Sequence, residues 1–304
     1  MPKHPTLLQH FRSFCYQNKV TDFEQAVEYF AVFGGMGWKV DMSKPLALLI
    51  EEKVLKNYRY IHGDIAKITQ SDRTHHALLS GIALGDRREY SAFKRANVLR
   101  QEGEESIDFL VENNLLLREQ SQAKPLNERE DVSDKFLITL PFLRFWFSSI
   151  SPYYKGIRDG DYSEVKLRLE HMKQDFSDLM YQQLFQELVV QSFKSDPVEK
   201  IGSYWDKAND IDLLAKTKSG KIIAGACKLS KAKAKKSALT QLKEVCQKVE
   251  LEADTFVLFS KSGFSNELKK EKSETLKLFA LKNLKTLLDN LSEKDLLVYT
   301  NKKY

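Results

Sequence analysis

Two carboxylates and a lysine stand at the ends of two short apolar runs that together predict a β-hairpin. Asp210 and Asp212 open the first run, and the second run, which begins at Ile222, ends at Lys228. A polar turn containing Gly220 separates the runs, as expected between two core strands. Carboxylates on one strand and a lysine on the next could hold Mg²⁺ and activate water for attack on a phosphodiester.

One acid that this chemistry needs is missing from the hairpin. A second carboxylate is expected two residues before the lysine, but Ala226 occupies that position. Mg²⁺ in proteins is usually bound by one or two carboxylates together with water, so Asp212 and its neighbour Asp210 predict only a weak metal site. Lys228 also lacks the anionic neighbour that would orient it. The hairpin therefore predicts a frame for metal chemistry with an incomplete ligand set.

The net charge of +6 is distributed unevenly along the 304 residues. Residues 228–304 contain 17 lysines and 10 acids, a surplus of seven, so the rest of the chain carries about one negative charge. A basic C-terminal region favours a polyanionic partner, most simply nucleic acid. A lysine-rich solvated surface without a partner is the alternative interpretation.

Composition and length indicate a globular protein with two or three domains, because 42% of the residues are hydrophobic and 30% are charged. No apolar run approaches the roughly 20 residues of a membrane span, and no apolar signal region follows Met1. We therefore expect a cytoplasmic protein without membrane contact. The three widely spaced cysteines predict neither a disulfide framework nor a zinc site.

The chain is predicted to be a mixed, helix-rich α/β protein with three parts. Residues 1–70 predict a helical region, in which Asp22 caps a helix that ends at the glycine cluster of residues 34–37. Residues 71–140 predict three helices, the last following Gly103, and a two-stranded wing, which together form a winged helix-turn-helix. Residues 141–304 predict a small α/β domain with a last helix over 274–291.

The winged helix is a second candidate surface for DNA. Its third helix would enter the major groove, and Arg95, Arg100 and Arg118 could contact phosphates. The same helix carries five carboxylates that would oppose phosphates: Glu102, Glu104, Glu105, Asp108 and Glu112. The sequence therefore leaves open both DNA contact and a packing or protein-docking role.

Five segments of the chain carry a resemblance to a known arrangement: residues 142–147, 204–205, 210–215, 225–228 and 259–264. Together they resemble the uncharacterised C-terminal domain of archaeal-type AAA ATPases, which is similar to the PD-(D/E)XK nuclease fold of restriction endonucleases and Holliday-junction resolvases. Residues 24–56 and 71–122 look like the lid region and the winged helix of the same proteins. No Gly-x-x-x-x-Gly-Lys-Ser/Thr motif is present, so we do not expect ATP hydrolysis by this chain alone.

The resemblance implies roles for the hairpin residues. Asp212 matches the metal-binding aspartate, Asp210 matches the acid that usually precedes it, and Lys228 matches the lysine that positions the attacking water. Ala226 departs from the glutamate of the family. Glu244, on the predicted following helix, could supply a carboxylate that has migrated.

A second departure lies on the helix before the hairpin. Gln186 stands where the family has a glutamate, although a shift of one residue would offer Glu187 instead. With two acids changed, we expect a nuclease-like domain with little or no cleavage, which requires no cofactor and would use Mg²⁺ only if active.

Binding is then the expected use of the fold. Five lysines crowd the end of the second hairpin strand and the start of the next helix: Lys228, Lys231, Lys233, Lys235 and Lys236. Lysines at a helix N-terminus oppose the helix dipole, so helix stability does not explain them. We expect a DNA partner, double-stranded or branched. The alternatives are a module that docks a separate ATPase and, third, a metal-dependent endonuclease.

Overall fold

The computed structural model describes residues 4–123 and 132–297, without the side chains of residues 172 and 173. The fold is mixed α/β and rich in helix, as predicted, with a helical N-terminal region and a five-stranded sheet near the C-terminus. The chain divides into two units. Unit 1 comprises Met1–Arg118, Ser133–Ser177 and Asn290–Tyr304, and unit 2 comprises Glu119–Val132 and Asp178–Asp289. The finer division into three domains stays a prediction.

Nine helices of the described residues begin and end within unit 1: α1 (Leu7–Gln17), α2 (Phe23–Phe33), α3 (Leu46–Ile50), α4 (Tyr58–Ile68), α5 (Arg73–Leu84), α6 (Glu89–Ala96), α7 (Arg100–Glu112), α8 (Pro141–Phe145) and α9 (Tyr154–Asp159). The π-helical segments Glu51–Leu55 and Trp146–Ile150 continue α3 and α8. Asp22 caps α2, as predicted, by accepting a hydrogen bond from the Gln25 amide at 2.8 Å.

The predicted order of three helices and two paired strands follows in residues 71–140. Helices α5, α6 and α7 precede β1 (Leu116–Glu119) and β2 (Lys135–Ile138), which form a two-stranded sheet. The predicted start of the third helix after Gly103 was wrong, because α7 begins at Arg100. Gly103 is buried inside the helix, where a Cβ atom would lie 2.6 Å from the Phe93 ring. The glycine therefore allows close helix packing rather than a turn.

Helix α10 (Ser163–Ser192) has residues in both units, and its part from Asp178 onward belongs to unit 2. The sheet of unit 2 consists, in spatial order, of β3 (Val198–Trp205), β4 (Asp210–Thr217), β5 (Ile222–Lys228), β6 (Thr255–Ser260) and β7 (Leu276–Ala280). Strands β3, β4 and β5 are antiparallel, and β5, β6 and β7 are parallel. The remaining elements are α11 (Lys236–Lys248), α12 (Asn266–Lys270) and α13 (Leu281–Leu284).

Each face of this sheet is covered by a helix. Leu242 and Cys246 of α11 belong to one buried cluster together with Leu258 of β6. On α10, Tyr181 and Phe185 contact the ring of Phe259, with centroids 6.2 and 5.6 Å away. Burial on both faces explains why β5 and β6 are almost uninterrupted apolar runs in the sequence.

The helix predicted over 274–291 was wrong. Residues 276–280 form β7, which pairs in parallel with β6. Leu276 and Leu278 are two residues apart and both contact the cluster under α11, which is the spacing of a strand rather than of a helix. A helix follows only as α13 and the 3₁₀ turn Lys285–Leu288.

In the part of the chain that the structure describes, none of the helices is both long and apolar enough to cross a membrane.

Candidate functional site

The predicted hairpin is confirmed as β4 and β5, and Asp212 lies where its two strands separate. The paired register ends at Leu213 and Gly225. Extending it by one residue sets Asp212 across from Ala226. There the Asp212 carboxylate accepts a hydrogen bond from the Cys227 amide at 2.8 Å. The carboxylate therefore holds the two strands together beyond the last main-chain pair.

Ala226, the position at which the sequence analysis expects a second carboxylate, packs against the core. Ala226 is partly buried and packs against the apolar cluster under α11. Alternate strand residues share a face, so Lys228 projects on the same side as Ala226, and it is half-buried. The Lys228 carbonyl accepts a hydrogen bond from the Lys261 amide at 3.1 Å, which fixes the end of β5 against the end of β6.

Asp178 on α10 is an acid near the hairpin that the sequence analysis missed. Burial raises the pKa of the Cys227 thiol well above its ordinary value, and the negative charges of Asp212 and Asp178 raise it further, while Lys228 opposes them. The Asp178 carboxylate is therefore close enough to act on the end of β5. The sequence does contain a signal, because Asp178 precedes Tyr181 and Phe185 by three and seven residues and so shares their helix face.

Glu187, which a shift of one residue would offer as the helix acid, lies on a different side of α10 from Asp178. Asp178 and Glu187 are nine residues apart, so at about 100° per residue they project from opposite sides of α10. Burial raises the pKa of the Glu187 carboxyl. Of these two acids, Asp178 therefore lies on the same side of α10 as the aromatic residues that pack on the sheet.

Glu244 and Asp210 are both exposed. On α11, Leu242 and Cys246 face the sheet, and Glu244 lies between them on the opposite, solvent-facing side. The structure therefore does not bring Glu244 to the hairpin end. Asp210 pairs with Trp205 at the first position of β4. Within residues 4–123 and 132–297, no three His, Cys, Asp or Glu side chains are grouped so that they could hold a metal ion.

The residues between β5 and α11, 228–236, are called the basic segment here. Ala234 is buried and pairs with Phe264, donating its amide to the Gly263 carbonyl at 2.9 Å. Three lysines at alternate positions are exposed: Lys231, Lys233 and Lys235. Residues 230–232 form a bend and Ala232 is also exposed, so these lysines belong to a loop in solvent rather than to a strand with one buried side.

The lysines of the basic segment are not equivalent. The Lys236 ammonium lies 2.6 Å from a Glu271 carboxylate oxygen, and this hydrogen bond and charge raise the pKa of Lys236. Among the residues that the structure describes, none forms an ion pair with Lys231, Lys233 or Lys235. These three ammonium groups are available to an external anion, whereas Lys236 would first have to leave Glu271.

Two of the three arginines predicted to contact DNA in residues 71–140 are held by acids of the same unit. Arg118 lies 3.3 Å from Asp108 and 3.2 Å from Asp134, and Arg100 lies 2.7 Å from Glu104. Each of these arginines also covers an aromatic ring, so its position is fixed by packing as well as by charge. Much of their charge is already neutralised within the chain.

Arg95, the third predicted arginine, is exposed on α6 and lies against Gly85, where a Cβ atom would be 3.2 Å from its Nε atom.

The cysteines are free thiols. Burial raises the pKa of Cys15 above its ordinary value and raises that of Cys246 to about 11, so both thiols are protonated at neutral pH.

The fold and the site together define a mixed α/β chain whose sheet carries a hairpin with Asp212, Ala226 and Lys228 at its open end and a basic segment beside it. Residues 146–241, which include α10, the hairpin and the start of α11, match the family model DUF234, described as archaea bacterial proteins of unknown function. The matched residues are thus similar to that family over about a third of the chain. Neither a curated protein nor a solved structure matches the chain.

Proposed function

We propose that this protein binds nucleic acid through the basic segment of unit 2, on a nuclease-like domain that has lost its complete acidic set. The observation that carries the proposal is the set of three exposed lysines without an ion pair among the described residues: Lys231, Lys233 and Lys235. Residues 178–289, which form most of unit 2, contain 20 lysines and 15 acids, and this positive surplus attracts polyanions.

The chemistry of lysine favours backbone binding without sequence selection. An ammonium group is a compact point charge that contacts phosphate oxygens but does not match the edge of a base as a guanidinium does. Unit 2 contains no arginine between residues 178 and 289. The expected partner is DNA, double-stranded or branched, in the cytoplasm, and its binding should depend steeply on salt.

Several features argue against cleavage as the main activity. Ala226 is packed against the core where the resemblance implies a glutamate, and Asp212 accepts a main-chain hydrogen bond. Because Asp178 could supply a second carboxylate, a metal-dependent endonuclease stays the third candidate, with Asp178 and Asp212 as its carboxylates. No cofactor is required for binding, and Mg²⁺ would be needed only for cleavage.

A salt-dependent binding titration tests the proposal. The full chain is titrated against a short duplex, a branched junction and a single strand of equal length, each at several salt concentrations. We expect binding that weakens linearly on a logarithmic salt scale, with a slope of about one unit for each lysine–phosphate contact. Binding that does not change with salt, or no binding at low salt, contradicts the proposal.

A cleavage assay tests the third candidate directly. Plasmid, single-stranded and branched DNA are incubated with the protein and Mg²⁺ or Mn²⁺. We expect intact DNA. Cleavage that disappears in Asp212→Ala and in Asp178→Ala would establish an active metal site instead of a degenerate one.

A second candidate function, docking of a partner protein, is favoured by unit 1. Its arginines at 100 and 118 are tied to carboxylates of the same unit, so that surface offers little attraction to phosphates. The resemblance implies that the partner would be a separate ATPase. Co-purification of the full chain with the product of a neighbouring ATPase gene tests this, and a chain that stays monomeric and binds only DNA counts against it.

A further inference from the structure

A cavity of about 610 Å³ lies in unit 1, bounded by the end of α1, residues 39–44 and residues 49–53. This volume is in the range of cavities that hold small molecules. Its floor includes Val40 and Leu49, which are 4% and 1% exposed. The cavity has no role in the binding proposed for unit 2.

One wall of the cavity is held in place by side chains of α1 and α2. Three main-chain carbonyls of residues 37–44 accept hydrogen bonds from these helices: Gly37 from Gln17 at 2.9 Å, Met42 from Gln25 at 2.9 Å, and Lys44 from the Tyr29 hydroxyl at 2.6 Å. The Asn18 side chain also accepts a hydrogen bond from the Val40 amide at 2.7 Å. These bonds lie within the chain and fix the wall in position, so little ordering free energy is lost on binding.

The charges around the cavity are predominantly positive. Lys44 is neutralised by Glu52, with their closest atoms 2.8 Å apart. The Asp41 carboxylate accepts hydrogen bonds from the amide and hydroxyl of Ser43, which lower its pKa. Three further lysines line the cavity and have no ion-pair partner among the described residues: Lys19, Lys39 and Lys53.

Helix ends explain only part of this charge. Lys19 follows α1, and Lys53 lies in the last turn of Glu51–Leu55, where the helix carbonyl end favours cations. Lys39 belongs to no helix. Three unpaired ammonium groups around one preformed cavity with an apolar floor match an anion that has an apolar part.

We propose that this cavity binds a small phosphate-bearing molecule, with its phosphate among Lys19, Lys39 and Lys53 and its apolar part against Val40 and Leu49. Lysine selects a phosphate by charge rather than by a fixed fork geometry, so the apolar floor contributes the selectivity. Two probes separate these contributions. Inorganic pyrophosphate tests the charge alone, and adenosine 5′-monophosphate adds an aromatic ring.

Calorimetric titration of the full chain with each probe tests the proposal. We expect adenosine 5′-monophosphate to bind more tightly than pyrophosphate. The double variant Lys39→Glu with Lys53→Glu should lower its affinity at least about tenfold, because each charge-assisted hydrogen bond is worth a factor of this order. Lys155→Glu, a single charge reversal at an exposed lysine of unit 1 outside the cavity, is the control.

Three outcomes would overturn the proposal: no binding of either probe at about 1 mM, unchanged affinity in a double variant that folds normally, or equal loss in Lys155→Glu. The neutral pair Lys39→Gln with Lys53→Gln repeats the test if charge reversal prevents folding. DNA binding of the double variant should equal that of the native chain. A parallel loss of DNA binding, with competition between DNA and the nucleotide, would assign these lysines to the nucleic-acid surface instead.

Discussion

The two basic surfaces that the sequence singles out differ in what surrounds their charges. In unit 1, Arg100 and Arg118 lie within 3.3 Å of carboxylates of the same unit. In unit 2, the described residues give Lys231, Lys233 and Lys235 no such partner. A phosphate must compete with the carboxylates for the arginines but not for the lysines. The comparison teaches that the number of basic residues on a surface is a poor guide to its affinity for nucleic acid.

The difference has a local cause. Arg100 and Glu104 are four residues apart on α7, a spacing at which helical side chains are neighbours. The basic segment is a loop with a bend at residues 230–232, so it lacks the helical spacing that would place an acid beside a lysine. A helix can thus bring an acid to its own arginine, while a loop with alanine between its lysines does not.

Reversing the charge of the three lysines has the largest expected effect on DNA affinity. It tests whether the basic segment, and not unit 1, is the binding surface. Lys231→Glu with Lys233→Glu and Lys235→Glu should weaken DNA binding about a hundredfold or more at low salt and reduce the salt slope by about three units, because three phosphate contacts are lost. Fluorescence anisotropy with a labelled duplex measures both quantities.

The matched control reverses three exposed lysines at the other end of the same hairpin: Lys216, Lys218 and Lys221. It introduces the same change in net charge without touching the basic segment. If this control weakens binding as much as the first variant, the basic segment is not the binding surface and only total charge matters.

The next largest effect is expected on acidification, which should destabilise unit 1 more than unit 2, because all six histidines lie in unit 1. Burial lowers the pKa of His10 to about 4 from its ordinary value of 6.5. A depressed histidine pKa favours the neutral form in the fold, so its stabilisation is complete above pH 6.5 and is lost as the pH falls. The loss for unit 1 should reach about 3 kcal/mol near pH 4.

Hydrogen exchange followed at pH 7, 6 and 5 measures this loss separately in each unit. His10→Gln should remove most of the pH dependence, whereas the exposed His171→Gln should not. Equal destabilisation of unit 2 over the same range would show that carboxylates, rather than histidines, control the response to acid.

A smaller effect is expected from Asp212, an acid of unit 2 whose carboxylate accepts a main-chain hydrogen bond. Asp212→Ala leaves the Cys227 amide without its acceptor and should lower the free energy of unfolding by about 1 kcal/mol. Asp212→Asn keeps a carbonyl oxygen in place and should lower it less. Denaturant unfolding measures both, and a more stable Asn or Ala variant would instead indicate that the carboxylate is held for a ligand.

The smallest expected effect is that of Arg118→Ala in unit 1. Arg118 is partly exposed, so solvent screens its pairs with Asp108 and Asp134, and the loss of stability should be below about 1 kcal/mol. DNA affinity should not change, since these carboxylates already occupy the arginine. A tenfold loss of affinity would move the nucleic-acid surface to unit 1.

Much of the fold could be predicted from local patterns. The cap at Asp22, the helix breaks at Gly34 and Gly85, and the hairpin around Gly220 all follow from residue types whose preferences act over a few residues. Element ends and the last strand were predicted less well. The segment 276–280 is apolar enough for either structure, and only its pairing with β6 makes it a strand.

In the candidate site, too, the residues that are close in sequence could be predicted, and the residue placed by helix packing could not. Asp212, Ala226 and Lys228 are neighbours through one hairpin, so the sequence was sufficient to bring them together. Asp178 lies 34 residues before Asp212 in the chain, and its position depends on how α10 packs against the sheet. A distance set by packing cannot be computed from spacing, so the sequence analysis considered Gln186 and Glu187 on this helix but not Asp178.

The sequence by itself determined most secondary-structure types, the hairpin that carries Asp212, Ala226 and Lys228, and the uneven charge, because these depend on residue type and on short spacing. Apart from local pairs such as Arg100 and Glu104, only the tertiary structure decided which charges are neutralised. Arg118 meets Asp134, and Lys236 meets Glu271, across 16 and 35 residues of chain. Whether a basic residue is available to a partner depends on these long-range neighbours, and folding alone supplies them.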